Sequence, residues 1–175
     1  MTHETDEVDR IVGAWGVQRP DLDFSPLEVL SRVDRLSRHL DRARRDAFRR
    51  SDLEPWEWDV LSALRRAGEP FQLSPKQLLQ QTLVSSGTMT NRIDRLVARR
   101  LVRREADPAD GRSVLVTLTE DGRVRVDAAI TRLVDAEAVL LGALSRGDRE
   151  RLASLLRKLS LGFDASATPL SPSAR

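Results

Sequence analysis

The chain contains no cysteine and no tyrosine, and only two of its 175 residues are histidines. Without cysteine there is no disulfide framework, thiolate nucleophile, cysteine-ligated zinc or thiol-based peroxide sensor. His3 lies in the N-terminal tail and His39 in an arginine-rich segment, and neither has a visible catalytic partner. Glycine-rich phosphate loops, paired metal ligands and nucleophile motifs are missing from the sequence as well. We therefore expect neither an enzyme nor a protein that holds a metal or a cofactor.

Long apolar runs and lysines are also scarce. No apolar run approaches the roughly 18 residues that a membrane span needs, so we expect a cytoplasmic protein with no membrane contact. The net charge is only +2, and Lys76 and Lys158 are the only lysines among 29 basic residues. Arginine favours bidentate recognition of phosphates and base edges, although a GC-rich genome would bias the composition in the same way.

Apolar residues at three- and four-residue spacing predict a mainly helical chain. Ser25 is expected to be the N-cap of a long amphipathic helix, and Pro26 to occupy its first helical position. The arginines on the other face of that helix are interpreted as a solvated surface. Thr119 is expected to cap a later helix. The predicted helices outside the central region are Val8 to Val17, Ser25 to about Arg50, Trp56 to Arg66, Thr119 to about Leu144, and a last helix from Ser145.

Two short helices joined by a tight turn are predicted in the middle of the chain. Ser74 is expected to cap the first, which ends at Gln81, and Ser85 to cap the second, which runs to Arg100. Two short helices in this order form the helix-turn-helix arrangement. Two segments rich in β-branched residues follow, Leu101 to Glu105 and Ser113 to Leu118. Because the loop between them is dense in turn formers, they predict a β-hairpin, or wing.

The second of these short helices has one apolar and one polar face. Its apolar face is predicted to consist of Met89, Ile93, Leu96 and Val97. The opposite face offers hydroxyl, amide and guanidinium groups, which read base edges or bind phosphates, and a glycine that lets the backbone approach DNA. An ordinary solvent-exposed helix is the alternative. The predicted DNA-binding residues of this helix are Ser86, Gly87, Thr88, Thr90, Asn91 and Arg95.

The wing loop adds a second predicted DNA contact. Asp110 precedes Arg112 by two residues, so its carboxylate can hold the arginine extended toward a minor groove. A surface ion pair of little energetic value is the alternative. Helix, turn, helix and arginine-tipped hairpin in this order make a more specific pattern than any of them alone. An adaptor that binds other proteins through its long helices is the rival interpretation, but such a protein has no need of this wing.

The segment Ser85 to Leu96 and the wing motif Asp107 to Arg112, followed by Leu118 and Thr119, carry a recognisable pattern. They resemble the MarR family of winged-helix regulators, and the resemblance extends over roughly residues 25 to 162. It implies a winged helix-turn-helix whose N- and C-terminal helices form a homodimer on a palindromic operator in double-stranded DNA. Arg100 departs from the pattern, because the family often has glycine there.

The resemblance also implies domain boundaries. Residues 1–24 would be an N-terminal extension with a short extra helix, and 25–163 a MarR-type domain. The polar, Ser- and Pro-containing composition of residues 164–175 predicts a disordered tail. Within the domain, the DNA-binding lobe would span about 52–118, and helices 25–50 and 119–162 would form the dimer.

A narrower resemblance is to the N-terminally extended branch of the family that responds to urate and related small anions. Trp15, Asp59, Arg92 and Arg104 stand at the positions that bind the ligand in that branch. Two arginines and a carboxylate suit a planar anion, with Trp15 covering its face. The alternative is an ion pair between Asp59 and Arg92, with Trp15 packing only. This ion pair would tie the scaffold to the recognition helix, which is the predicted helix from Ser85 to Arg100. The sequence leaves both interpretations open.

Overall fold

The computed structural model describes residues 5–82, 85–108 and 110–166, with side chains described except at positions 110–112 and 164–166. Within these ranges the chain forms seven helices and a three-stranded antiparallel sheet, which confirms the predicted mainly helical, winged fold. No helix in them is long and apolar enough to cross a membrane. The helices are α1 (Glu7–Gln18), α2 (Ser25–Arg49), α3 (Pro55–Arg66), α4 (Pro75–Gln81), α5 (Ser86–Ala98), α6 (Glu120–Leu140) and α7 (Arg146–Ser166), and the strands are β1 (Gln72–Leu73), β2 (Val102–Asp107) and β3 (Asp110–Leu118). The described residues fall into two compact units, which divide after Ala136.

Helix α1 is held against α2 by charged contacts. Arg32 of α2 pairs with Asp6 at 2.9 Å and with Asp9 at 2.6 Å, and Arg35 pairs with Glu7. Asp6 also caps α1, because its carboxylate accepts the backbone N–H of Asp9. Hydrogen bonds from the Asp9 backbone and from Arg32 lower the pKa of Asp6 to about 2. These contacts dock α1 on α2.

The predicted N-cap of α2 is wrong. The helix begins at Ser25 itself, and the N-cap position belongs to Phe24, whose side chain makes no capping bond. The backbone N–H and the hydroxyl of Ser25 both donate to Asp23, at 2.9 Å each. A carboxylate two residues upstream thus satisfies the start of the helix. Pro26, predicted at the first helical position, lies at the second, because Ser25 occupies the first.

The apolar core that α5 shares with α3, α4 and the sheet fixes the orientation of α5. Met89, Ile93 and Leu96 are almost completely buried, as predicted, and pack in one cluster with residues of α3, α4 and the sheet. Val97 is 38% exposed, so its assignment to the core is wrong. Val97 lies about 100° around the helix from Leu96 and one residue before the end of α5, at the margin of the buried face.

The sheet has the strand order β1-β3-β2, so the hairpin of β2 and β3 carries a third strand. Strand β1 was not predicted, because two residues show no periodicity; Gln72 and Leu73 pair with Thr117 and Val116. Arg100, just before β2, has a left-handed backbone with φ of 58°. This conformation favours glycine and costs other residues roughly 1–2 kcal/mol. Arg100 therefore adopts, at this cost, the backbone conformation that glycine takes more easily.

Hydroxyl caps begin the two C-terminal helices, as predicted. The Thr119 hydroxyl accepts the N–H of Gly122 at 3.1 Å, and the Ser145 hydroxyl accepts the N–H of Asp148 at 3.2 Å. Helix α6 ends at Leu140, earlier than the predicted Leu144. Helix α7 continues to Ser166 and so includes the first residues of the segment predicted to be a disordered tail. The rest of that segment lies outside the described residues.

Candidate nucleic-acid interface

The helix-turn-helix consists of α4 and α5, and local capping begins both helices. The Ser74 hydroxyl accepts the N–H of Gln77, whose side chain accepts the Ser74 N–H in return, forming a capping box. The Ser85 hydroxyl accepts the N–H of Thr88, as predicted. Leu78 is fully buried and ties α4 to the core that holds α5. The apolar face of α5 is therefore fixed inward and its polar face is turned to the surface.

The polar face of α5 carries the predicted DNA-binding residues together. Ser86, Gly87, Thr88, Thr90, Asn91 and Arg95 are all exposed. Two of their hydroxyls form hydrogen bonds within the helix and its cap. The Thr88 hydroxyl lies 2.9 Å from the Ser85 hydroxyl, and the Thr90 hydroxyl donates to the Ser86 carbonyl at 3.2 Å. A side chain built on Gly87 would meet nothing within 4 Å, so the surface at this end of the helix is open.

A tryptophan of α3 borders this polar face and was not predicted as part of the interface. Trp56, Gly87, Thr88, Asn91, Arg92 and Arg95 line a surface groove of about 480 Å³. The guanidinium carbon of Arg95 lies 4.5 Å from the centroid of the Trp56 ring, and that of Arg92 lies 6.0 Å from it. Sequence periodicity assigns Trp56 to the start of a helix but does not indicate which helix it touches.

The wing is the part of the predicted interface that the structure describes least. The pairing of β2 with β3 runs from Val102 opposite Leu118 to Asp107 opposite Asp110. Position 109 and the side chains of Asp110 and Arg112 lie outside the described residues. The predicted contact of Arg112 with a minor groove, and its support by Asp110, therefore remain predictions.

A second pocket of about 480 Å³ lies beside the interface and contains two of the four predicted ligand residues. Arg92 Nη1 lies 3.7 Å from Asp59 Oδ2, too far for a hydrogen bond. That nitrogen is buried and, in the described part of the chain, has no hydrogen-bond partner. Burial raises the pKa of Asp59, and the charges of Arg92 and Arg66 oppose the increase. The pocket is lined by Trp58, Asp59, Ser62, Arg66, Gln81, Thr82 and Arg92.

The other two predicted ligand residues have other contacts. Trp15 stacks on Phe24 with ring centroids 6.2 Å apart. Arg104 pairs with Asp94 at 2.7 Å and donates weakly to the Thr90 carbonyl. Neither lines the pocket, in which Trp58 provides an aromatic ring and Arg66 a second guanidinium.

Arg66 and Ser62 were missed although the sequence contains a signal for them. They follow Asp59 by seven and three residues, which places all three side chains on the same face of α3. Arg66 Nη1 donates to the Ser62 hydroxyl at 3.1 Å, so the two form one polar wall of the pocket.

Comparison with known proteins agrees with this geometry. Residues 51–113 match the model of the MarR family. The chain is 34% identical over 153 residues to the HTH-type transcriptional regulator PecS of Dickeya dadantii, covering 87% of this chain and 92% of that protein. A mutant MarR from E. coli complexed with operator DNA superposes with a TM-score of 0.63 at 27% identity, covering 78% of this chain and 96% of that one.

A further solved structure concerns ligand-regulated DNA binding. It is Bordetella bronchiseptica BpsR, whose DNA binding is regulated by 6-hydroxynicotinic acid; it is 33% identical, with a TM-score of 0.56, and covers 74% of this chain and 98% of that one. The sequence match over most of both chains and the shared fold lead to one assignment. The chain belongs to the MarR family of winged helix-turn-helix, DNA-binding transcriptional regulators, which are not enzymes.

Proposed function

We propose that this protein is a homodimeric repressor that binds a palindromic operator and releases it when a small planar anion enters the pocket beside the recognition helix. The observation that carries the proposal is the position of Arg92. Its side chain lines both the anion pocket and the groove on the polar face of α5. A ligand that binds Arg92 therefore acts on the recognition helix directly.

The exposed face of α5 has the chemistry of a major-groove reader. In this proposal Thr88, Asn91 and Arg95 contact base edges, because hydroxyl, amide and guanidinium groups match their donor and acceptor patterns. Ser86 and Thr90 contact phosphates, and Gly87 lets the helix approach the DNA backbone. Arg112, supported by Asp110, extends the contact to a minor groove at the tip of the wing.

Exposed apolar side chains on the long helices support a dimer. The proposed dimerisation helices are residues 25–50 and 119–162, flanking the DNA-binding lobe 52–118. Large apolar residues at helical spacing are exposed on each; they include Leu27, Leu30, Val33 and Leu36 on α2 and Leu152, Leu155, Leu156 and Leu159 on α7. Exposed apolar surfaces of this extent mark protein–protein interfaces. A two-fold dimer places its recognition helices about one DNA turn apart, and the operator is then palindromic.

The two arginines that line the pocket, Arg92 and Arg66, favour an anionic ligand. Arg92 has a buried Nη1 with no hydrogen-bond partner among the described residues, and an acceptor oxygen on a ligand would satisfy it. Arg66 lies in the same pocket and adds a second positive charge. The DNA binding of BpsR is regulated by 6-hydroxynicotinic acid, a planar carboxylate, which supports an effector of this chemical class. Urate-like purine anions are also planar and negatively charged.

The four residues predicted from the sequence divide into two groups in this proposal. Asp59 and Arg92 already lie together in the pocket, 3.7 Å apart. Trp15 and Arg104 would join the ligand only in the bound state, by leaving Phe24 and Asp94.

Operator binding is tested with DNA from upstream of the protein's own gene, by gel shift followed by footprinting. Arg95→Ala should cost about 1–3 kcal/mol of operator binding and relax sequence preference, whereas Arg112→Ala should weaken operator and scrambled DNA alike. Equal losses on both DNAs for Arg95→Ala would show that Arg95 does not read bases. A monomer at micromolar concentration would contradict the dimer.

Effector binding is tested by titrating the operator complex with urate and with 6-hydroxynicotinate. Arg92→Ala and Trp15→Ala should abolish release, and Arg66→Ala should weaken it. Because Arg92 also borders the DNA-binding face, Trp15→Ala is the cleaner variant. The matched control is Arg103→Ala, which removes an exposed arginine paired with Glu105 outside the pocket. Release that is identical in all these proteins would refute the pocket, and no response to either anion would favour a structural ion pair between Asp59 and Arg92.

A further inference from the structure

The first turn of α3 packs against the last turn of α5. Arg95 and Arg99 are one helical turn apart on α5, and their partners Trp56 and Glu57 are neighbours on α3. Glu57 is 1% exposed and accepts a hydrogen bond from Arg99 Nη1 at 2.5 Å. A buried carboxylate held by one guanidinium fixes the register between the two helices. That register places the Trp56 ring beside Arg95.

The Arg95 guanidinium lies over the Trp56 ring. The ring centroid lies 4.5 Å from the guanidinium carbon, within the roughly 6 Å range of a cation–π contact. Among the residues that the structure describes, Arg95 pairs with no carboxylate; the neighbouring Asp94 pairs with Arg104 instead. The ring is half-buried and packs against the apolar core, so its position is fixed. The Arg95 guanidinium is therefore held over the ring, and within the described residues its N–H groups have no hydrogen-bond acceptor.

We infer that Trp56 is a positioning residue for sequence reading, which stacks on Arg95 and presents its guanidinium to a guanine of the operator. The inference rests on the proposed role of Arg95 in base recognition. A guanidinium stacked on an aromatic face keeps its in-plane donors available, and two of them match O6 and N7 of guanine. Without the ring, the long arginine side chain samples many rotamers, and ordering them opposes binding.

The experiment is a double-mutant cycle on DNA binding. Dissociation constants are measured for a duplex with the footprinted operator and for a scrambled duplex of the same length, using wild type, Trp56→Leu, Arg95→Ala and the double variant. Trp56→Leu keeps apolar packing but removes the ring. It should weaken operator binding about 2- to 10-fold and scrambled binding less than 2-fold. In the Arg95→Ala background, the same change should have no further effect.

Two further variants separate positioning from packing. Trp56→Phe retains an aromatic face and should restore most of the operator preference. Phe71→Leu is the matched control, because it removes the ring beneath another arginine, Arg65, which lies 5.0 Å from the ring centroid. That change should leave the operator preference unaltered. Thermal unfolding of every variant verifies that it is folded at the assay temperature.

The outcomes distinguish this inference from the proposed function. If Arg95→Ala lowers operator preference but Trp56→Leu is equally harmful with and without Arg95, the positioning role is wrong while base reading stands. Equal losses on both duplexes for Trp56→Leu, or no recovery with Trp56→Phe, would overturn it as well. If Arg95→Ala itself leaves the operator preference unchanged, the proposed reading role of Arg95 and this inference both fail.

Discussion

Arg99→Ala is expected to destabilise the protein through the buried carboxylate of Glu57. Arg99 ends α5 at its C-cap and binds Glu57 at 2.5 Å and Asp52 at 2.7 Å. Arg125 of α6 also pairs with Asp52, so the cluster joins three helices. Removing one partner of a buried ion pair costs about 3–5 kcal/mol. Because Arg99 is itself 34% exposed, solvent screens part of the pair, and we expect about 2–3 kcal/mol.

The assay is thermal unfolding at a fixed protein concentration, followed by circular dichroism. A loss of 2–3 kcal/mol should lower Tm by about 4–12 °C for a chain of this size. The matched control is Arg103→Ala, whose pair with Glu105 is exposed on both sides, at 55% and 48%, so that its removal should leave Tm almost unchanged. Arg99→Lys keeps the charge but cannot bridge both carboxylates, so its Tm should be intermediate. If Arg99→Ala and Arg103→Ala unfold at the same temperature, the buried pair does not hold the helices as argued.

Two other changes have expected outcomes. Gly122→Ala should destabilise by about 3 kcal/mol in the same assay, because its Cβ would lie 2.1 Å from the Leu101 carbonyl oxygen. Gly13→Ala, with open space around it, should be neutral or stabilising by up to about 1 kcal/mol; equal effects of the two would refute the close approach. Because burial raises the pKa of Asp59, lowering the pH from 7.5 to 5 should neutralise more of this carboxylate and strengthen anion binding in a calorimetric titration. Asp59→Asn should retain only the pH dependence of the ligand itself, and an unchanged slope would show that Asp59 does not titrate in the pocket.

Caps were predictable where the capping group and its helix are adjacent in the sequence. Ser74, Ser85 and Thr119 each accept an N–H within three residues, which is what their position before an apolar periodic segment predicts. The prediction for Ser25 failed because Asp23, another good acceptor, lies two residues upstream and accepts hydrogen bonds from the N–H and the hydroxyl of Ser25. The sequence alone does not rank two such competing acceptors.

The residues of the binding surfaces were likewise predictable where they share one helix face, and not where they depend on the packing of two helices. The polar face of α5 follows from helical periodicity, and the exposure of Asn91 and Arg95 agrees with it. Arg66 is also encoded locally, seven residues after Asp59 on one helix face. Trp56 is different, because its contact with Arg95 depends on how α3 crosses α5. Such contacts are fixed by packing, which a single sequence does not specify.

The position of Arg92 limits how the proposed repressor can respond to its effector. Arg92 lines both the proposed anion pocket and the groove on α5. In the proposed function, ligand and operator would therefore contact the same side chain, and no coupling over a longer distance is required. A ligand shifts the equilibrium only by its difference in affinity for the free and DNA-bound forms, and the operator must weaken the ligand by the same factor. A tenfold weaker operator complex therefore requires an anion that binds the free protein tenfold more tightly than the complex, about 1.4 kcal/mol of difference. An Arg92 guanidinium drawn toward Asp59 and the ligand, away from Trp56, is a local change that can provide a difference of this size.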